Sequence, residues 1–533
     1  MAFAPIDYTI LFVYLISAVL LGIWFGRKQK DTVDYFLGSR SLPWPAVCFS
    51  VVATETSTLT FISIPGLAYL TNMNFLQITF GYLIGRIIIS FIFLPAYYRG
   101  ELSTAYEFLG GRFGGNLRGY ASVIFQITRL LADGVRLFAT AIPLSVITGW
   151  SYPVSIIVIA LFTIVYTYIG GIRAVVWMDV IQMIIYVGGA IIAGIFLLHK
   201  IPGGWEHVVA VADMKNKFQI IYLGFDKPLS EFFRINYTLF SGIIGGAFLS
   251  MASHGTDQLI VQRLLTCNNL RSSQKALITS GVIVIFQFAL FLLLGLLLYV
   301  YYQGEPMRAD AIFPRFIVEG LPPGLSGIII AGVFAAAMST LSGSLNSLAS
   351  STMLDIYKPR WGKANSPKKD LLISRFITFV WGIIFIGGAM IFKDKENPVV
   401  ELGLAIASFT YGGLLGVFFL GNLNKMVKEN DALIAMWSAI FFMTWIISPT
   451  VWVMLGMFAL NLLAGVWIYI KLKDSPKKHF ISFWFVAMAL MAIFVQAPQI
   501  AWPWYVFIGS IVTYVIATVL EISGRGRDRR RDL

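Results

Sequence analysis

Residues 328–357 read IIIAGVFAAAMSTLSGSLNSLASSTMLDIY. The stretch is long and apolar enough to cross a bilayer, yet hydroxyls crowd it from Ser339 onward. Ala336, Ser339 and Thr340 stand at i, i+3 and i+4, which is one face of a helix. Hydroxyls beside a freed carbonyl are hard oxygen ligands without net charge. That is the chemistry for holding Na+ weakly enough to release it. Small hydroxyl residues also let helices pack closely, so spacing by itself leaves both uses open.

Other clusters place costly groups in apolar surroundings. Residues 53–58, ATETST, set Glu55 among hydroxyls, and Pro65-Gly66 follows. Such a helix is expected to unwind near its centre, where freed carbonyls can bind a cation. Residues 237–265 repeat the pattern: Gly242, Gly245 and Gly246 precede Ser253-His254-Gly255-Thr256-Asp257. Arg129, Asp133 and Arg136 fall at i, i+4 and i+7, a single stripe of one helix. Charge at membrane depth is expensive, so the stripe should be paired and face protein or water. Asp133 can neutralise one arginine locally, and Glu55 is the expected partner of the other. Arg86 is either a further member or a snorkelling side chain. Asp179 lies one to two turns inside its span, by default a cation or proton site; pairing with a neighbour is the structural alternative. His254 reads as a hydrogen-bonded wall residue rather than a metal ligand.

The elements that must position these groups follow from composition. The chain has 533 residues, 58% of them hydrophobic and only 13% charged, and a mean hydropathy of +0.78. It reads as an all-α integral membrane protein embedded in a lipid bilayer. About fifteen apolar segments meet the window rule. They lie near 5–26, 43–70, 75–97, 118–147, 153–170, 173–199, 237–265, 273–302, 324–356, 370–393, 398–423, 432–448, 449–472, 479–496 and 502–523. Most of the 40 lysines and arginines fall in every second loop, which predicts an N-terminus outside and a cytoplasmic C-terminus. The net charge of +13 is thus a topology signal, and no nucleic-acid partner is expected. The first segment is too long for a cleavable signal. Cys48 and Cys267 make no disulfide framework and no metal set. The two interrupted segments lie five segments apart, and an odd spacing inverts the second copy relative to the first. That is the layout of an inverted-repeat transporter with its site at the repeat interface. Phosphate-loop, zinc and dinucleotide motifs are absent from the sequence, so an enzyme is not expected.

Four motifs carry a family resemblance: YIGGIRAVVWMDVIQ (168–182), SHGTDQLIVQR (253–263), AAAMSTLSGSLNSLASSTMLDIY (335–357) and IAWPWYVFIGS (500–510). The DYFLGSRSLPW stretch at 34–44 belongs with them. The chain resembles the sodium:solute symporters, which include the sodium/glucose and bacterial sialic acid transporters. The resemblance implies a five-plus-five inverted repeat of the leucine-transporter kind, with about 13–15 transmembrane helices. It implies one membrane domain with repeats near 43–199 and 237–423, peripheral helices at 5–26 and 432–523, and a place in the inner (plasma) membrane. It also implies a first Na+ site built from the carbonyls of Ala53, Thr56 and Ala336 and the hydroxyls of Ser339 and Thr340. Some members hold a second Na+, which would fall on Asp179 and Ser342. Gly343 stands where the next hydroxyl would be, so that site lacks a ligand.

The substrate wall is expected from Glu55, Ser57, Thr60, Gln77, Arg129, Asp133, Ser253, His254 and Tyr411, converging near the bilayer midplane. In the sialic acid members the carboxylate-binding arginine falls near Ala132, between Arg129 and Arg136. Two arginines balance Asp133 and Glu55, which favours Na+-coupled import of a neutral sugar or polyol. A sugar acid such as sialic acid is the alternative. A proton symporter using Asp179 or Glu55 is more distant, as is a membrane sensor, since no signalling module follows Gly524.

Overall fold

A computed structural model of the protein describes residues 4–27, 29–391, 399–447, 478–494 and 497–531, with single positions between 456 and 466. Among these residues the chain is helical, and its one β contact is an isolated bridge between Leu42 and Cys267. The apolar segments fold as α1 (Pro5–Phe25), a broken pair α2 (Trp44–Glu55) and α3 (Thr58–Leu70), α4 (Leu76–Ile92) and α5 (Gly115–Thr148). Next come α6 (Tyr152–Lys200) and a second broken pair, α7 (Gly246–Gly255) and α8 (Gln258–Leu264). The series closes with α9 (Leu270–Tyr301), α10 (Leu325–Ser351), α11 (Pro367–Ile391), α12 (Val399–Leu423), α13 (Glu429–Ile447), α14 (Lys478–Phe494) and α15 (Trp504–Arg531). Of the segment expected at 449–472 only a few positions are described, and the rest lies outside the described residues. Within α6, Gly171 adopts φ 55° and ψ −158°, a conformation only glycine takes readily. It separates the two spans expected at 153–170 and 173–199.

α10 is buried along nearly its whole length, wedged against α6 and α1. Small residues make that approach possible: a Cβ on Gly332 would stand 3.2 Å from the Tyr186 backbone. The first turn of α10 is capped from another helix. Asp7 of α1 accepts the Gly324 amide at 2.6 Å and the Gly327 amide at 2.9 Å. A carboxylate there satisfies donors that a helix start leaves without partners and suits the positive end of its dipole. Outward faces of α1, α6, α9 and α11 expose Leu20, Ile184, Phe286 and Phe376, as contact with lipid tails allows.

Each end of the bundle is laced by polar contacts. At one end Arg40 donates to the carbonyls of Glu101 and Leu102, Arg173 to Gly38, and Arg118 to Asp355 and Glu107. At the other, Lys217 donates to the carbonyls of Tyr69 (2.6 Å) and Thr71 (2.8 Å), capping the C-terminal end of α3. Its ammonium also lies 4.0 Å from the centroid of the Tyr299 ring. Both cysteines are free and buried, Cys48 at 1% exposure and Cys267 at 0%.

Candidate functional site

The first break turns the chain by 59° between α2 and α3. Helical bonding lapses at the bend. The Ser57 amide bonds to the Glu55 carbonyl at 3.1 Å instead of reaching back four residues to Ala53. The carbonyl that an intact helix would occupy is therefore released, as unwound backbone in a cation site requires. Thr58 Oγ1 donates to the Val333 carbonyl at 3.3 Å, pinning the start of α3 to α10. On α10, Thr340 Oγ1 lies 3.2 Å from the Ala336 carbonyl. Ser339 Oγ donates to Asp179 Oδ1 at 2.6 Å. Ala53, Thr56, Ala336, Ser339 and Thr340 are all buried, and α10 packs on both halves of the broken pair.

Asp179, on α6, is fully buried among donors. Besides Ser339 it accepts from Ser50 Oγ at 2.5 Å and from Arg263 Nη2 at 3.1 Å. The neighbouring hydroxyl, Ser342, donates to the Ser339 carbonyl at 3.0 Å. It thus serves its own helix in this structure rather than the Asp179 carboxylate.

A cavity of about 90 Å³ opens between the two broken pairs, α5 and α12. Glu55, Ser57, Thr60, Arg129, Ser253, His254 and Tyr411 all line it. Two expected wall residues do not. Gln77 is buried at the start of α4, where it donates to the carbonyls of Asn74 and Tyr237 and accepts the Tyr222 amide. Its amide pins a loop and has no donor left over for the cavity. Asp133 lies behind the wall, bonded to Ser344 and Arg136 beside a smaller neighbouring pocket.

Asp133 neutralises Arg136 of its own helix at 2.8 Å, as expected; the other pairings differ from the expectation. Glu55 pairs with Arg86 of α4, not with an arginine of α5. Arg86 is fully buried, and its Nη1 donates to Ser280 at 2.8 Å. Arg129 pairs with Asp257, with Nε at 2.9 Å from Oδ2. Tyr411 bridges this pair, its hydroxyl 2.5 Å from both Arg129 Nη2 and Asp257 Oδ2. Asp257 sits in the second break, where it also caps α8 through the Leu259 amide at 2.8 Å. Sequence reasoning singled out neither pairing, although the cost of a carboxylate in an apolar segment marked Asp257 as plainly as Glu55.

Two groups face the cavity with hydrogen-bonding capacity to spare. Arg136 donates to Asp133 through Nη1 at 2.8 Å, lines the cavity and keeps 18% of its side chain exposed. That contact uses one corner of a five-donor fork. His254 is held through Nδ1 by Ser253 Oγ at 2.8 Å. Its buried Nε2 has no hydrogen-bond partner, with Glu55 Oε2 3.7 Å away. The wall therefore offers an arginine fork on one element and an imidazole, hydroxyl and carboxylate group on others. It suits a ligand bearing both a negative charge and hydroxyls. Among the described residues no group of His, Cys, Asp and Glu could hold a transition metal. The cation chemistry available is that of hydroxyls and carbonyls.

Comparison with known proteins finds relatives over most of the chain. The sodium:solute symporter family model matches residues 35–439. The chain is 30% identical to the sodium/sialic acid symporter SiaT of Proteus mirabilis, covering 81% of this chain and 87% of that one. It is 28% identical to the sodium/sialic acid symporter NanT of Aliivibrio fischeri, over 84% and 89% of the two chains. The human sodium/iodide cotransporter matches at 26% identity over 79% and 66%. Among solved structures, a Na+-coupled sialic acid symporter in a substrate-bound outward-open state superposes with a TM-score of 0.80 at 26% identity. That match covers 97% of this chain and 98% of the other.

Proposed function

The chain belongs to the sodium:solute symporter family, and from that premise we propose that it carries a sugar acid of the sialic acid type into the cell together with Na+. It is a multi-pass membrane protein of the plasma membrane and a Na+-coupled symporter. The substrate is the finer reading. What carries it is Arg136, which lines the cavity while only Nη1 of its guanidinium is bonded, to Asp133. A carboxylate is the ligand that such a fork recognises in two-point fashion. The similarity to two sialic acid symporters points the same way. The charge count behind a neutral sugar or polyol omitted Arg86 and Asp257. With them included each of these arginines has an acid, Arg86 with Glu55, Arg129 with Asp257 and Arg136 with Asp133, so the count does not choose the ligand, and the donors of Arg136 that Asp133 leaves unused are what favours an acid. The hydroxyls of a sugar acid would meet His254, Ser253 and Glu55, so that end of the wall serves the same solute.

In this reading Na+ binds between the break of α2 and α3 and the hydroxyl face of α10. Its ligands are the carbonyls of Ala53, Thr56 and Ala336 and the hydroxyls of Ser339 and Thr340. The inverted repeats run from α2 to α6 and from α7 to α12. The basic loops face the cytoplasm, with the N-terminus outside. The deciding experiment is uptake into proteoliposomes under an imposed Na+ gradient at fixed pH, with radiolabelled N-acetylneuraminate as substrate. Competition by unlabelled acid, but not by its methyl ester, is the expected result. Equal competition by the ester would remove the carboxylate from the recognition, and uptake that ignores Na+ would remove the coupling.

A further inference from the structure

Arg263 is the one charged residue of the short helix α8 and is fully buried. Its guanidinium is bonded on every side. Nε donates to Ser50 Oγ at 2.9 Å, Nη2 to Asp179 Oδ2 at 3.1 Å, and Nη1 to the Leu259 carbonyl at 2.6 Å. The space it fills is bounded on α10 by Gly343. A Cβ built there would overlap Nη2, so any side chain larger than hydrogen would displace the guanidinium. The surroundings of Asp179 otherwise have the makings of a cation site: one carboxylate with the hydroxyls of Ser50 and Ser339 against it. A positive charge is already present, tethered to the chain.

We infer that Arg263 is a resident cation, which occupies through the vacancy at Gly343 the position where a second Na+ would bind beside Asp179, so that the protein binds a single Na+. The Asp179–Arg263 pair has a second consequence, which rests on the Na+ site proposed above. Ser339 directs its proton to Asp179. Its lone pairs are thereby left for the ion, so Asp179 and Arg263 are positioning residues for Ser339 and not ligands themselves. α8 then joins two networks. Asp257 at its start holds Arg129 of the substrate cavity, and Arg263 near its end holds the group that orients a Na+ ligand.

The test is equilibrium binding of 22Na+ to the purified full-length chain at pH 8, counting ions per chain. Wild type is expected to bind one. Arg263→Gln exposes an acid with two hydroxyls against it and should bind two; Arg263→Gln combined with Asp179→Asn should return to one. A structural role for Arg263 would lower stability but would not add an ion. Asp179→Asn alone should keep the count at one and weaken Na+ affinity roughly tenfold or more, as loss of a ligand-orienting partner does. Should Arg263→Gln not fold, Gly343→Ser displaces the guanidinium without removing it and should likewise raise the count to two. Two ions on wild type, one of them lost in Asp179→Asn, would overturn the inference, and so would a single ion on Arg263→Gln. Ser339→Ala checks the underlying site separately. Unchanged affinity there refutes the assigned Na+ ligands, while the count on Arg263→Gln still judges the resident cation.

Discussion

Single residues carry the substrate reading, and they separate its alternatives. Removing the Arg136 fork takes away charge-assisted hydrogen bonds worth about 1.5–3 kcal/mol, so Arg136→Ala should raise KM for N-acetylneuraminate roughly tenfold to a hundredfold. Arg136→Lys should recover only part of that, since a point charge cannot replace a planar fork; an unchanged KM in both variants would exclude Arg136 from the carboxylate. Arg129 answers differently. It is the partner of a buried Asp257, and breaking such a pair costs about 3–5 kcal/mol. Arg129→Ala should therefore abolish uptake of any solute and lower Tm as well. Glu55 neutralises the buried Arg86, so Glu55→Gln should harm the protein whichever solute is carried. The identity of the costly residues was legible: seven of the expected wall residues line the cavity. Their pairing was not, because which acid meets which arginine is decided by how distant helices pack. Gln77 was misplaced for the same reason, as its partners come from a loop about 150 residues away.

At the scale of elements, both breaks were legible because helix-breaking and polar residues are too costly for an intact lipid-facing span. Contacts between elements were not. No sequence pattern announces that α1 caps α10 through Asp7. Exchanging a capping side chain for alanine costs about 0.5–2 kcal/mol, and the capped helix here carries Ser339 and Thr340. Asp7→Ala should thus lower Tm and reduce the stabilisation gained on adding Na+; a Tm loss independent of Na+ would confine the cap to a structural role. Lys217 gives a pH signature at the other junction. Burial pulls its ammonium down to about 8 from the usual 10.5. Above pH 8 the folded protein sheds that proton while the unfolded chain still holds it, so the contribution of Lys217 to stability climbs as pH rises towards 10.5. The Tm difference between wild type and Lys217→Met should move in favour of wild type between pH 7.5 and 9.5. A difference that stays flat, or moves the other way, would refute the shift.

For the whole molecule, hydropathy made the class evident and the basic loops predict its orientation. A bundle laced at both ends around two broken helices has a polar interior that can open at one end while the other stays closed, which is how a single site serves two compartments. Trp361 is exposed beside the basic loop that contains Lys358 and Arg360, and Phe225 is exposed in the long loop that contains Lys217. Trp361→Cys should react with a membrane-impermeant maleimide only after cells are permeabilised, whereas Phe225→Cys should react on intact cells; the reverse pattern would invert the topology. The buried native thiols, Cys48 and Cys267, decide how readily that can be learned. With both sealed inside the protein, wild type is already a silent background for thiol labelling. A dye or spin label placed at any exposed position would report from that position alone, and the alternation between compartments could be followed spectroscopically in the otherwise native sequence.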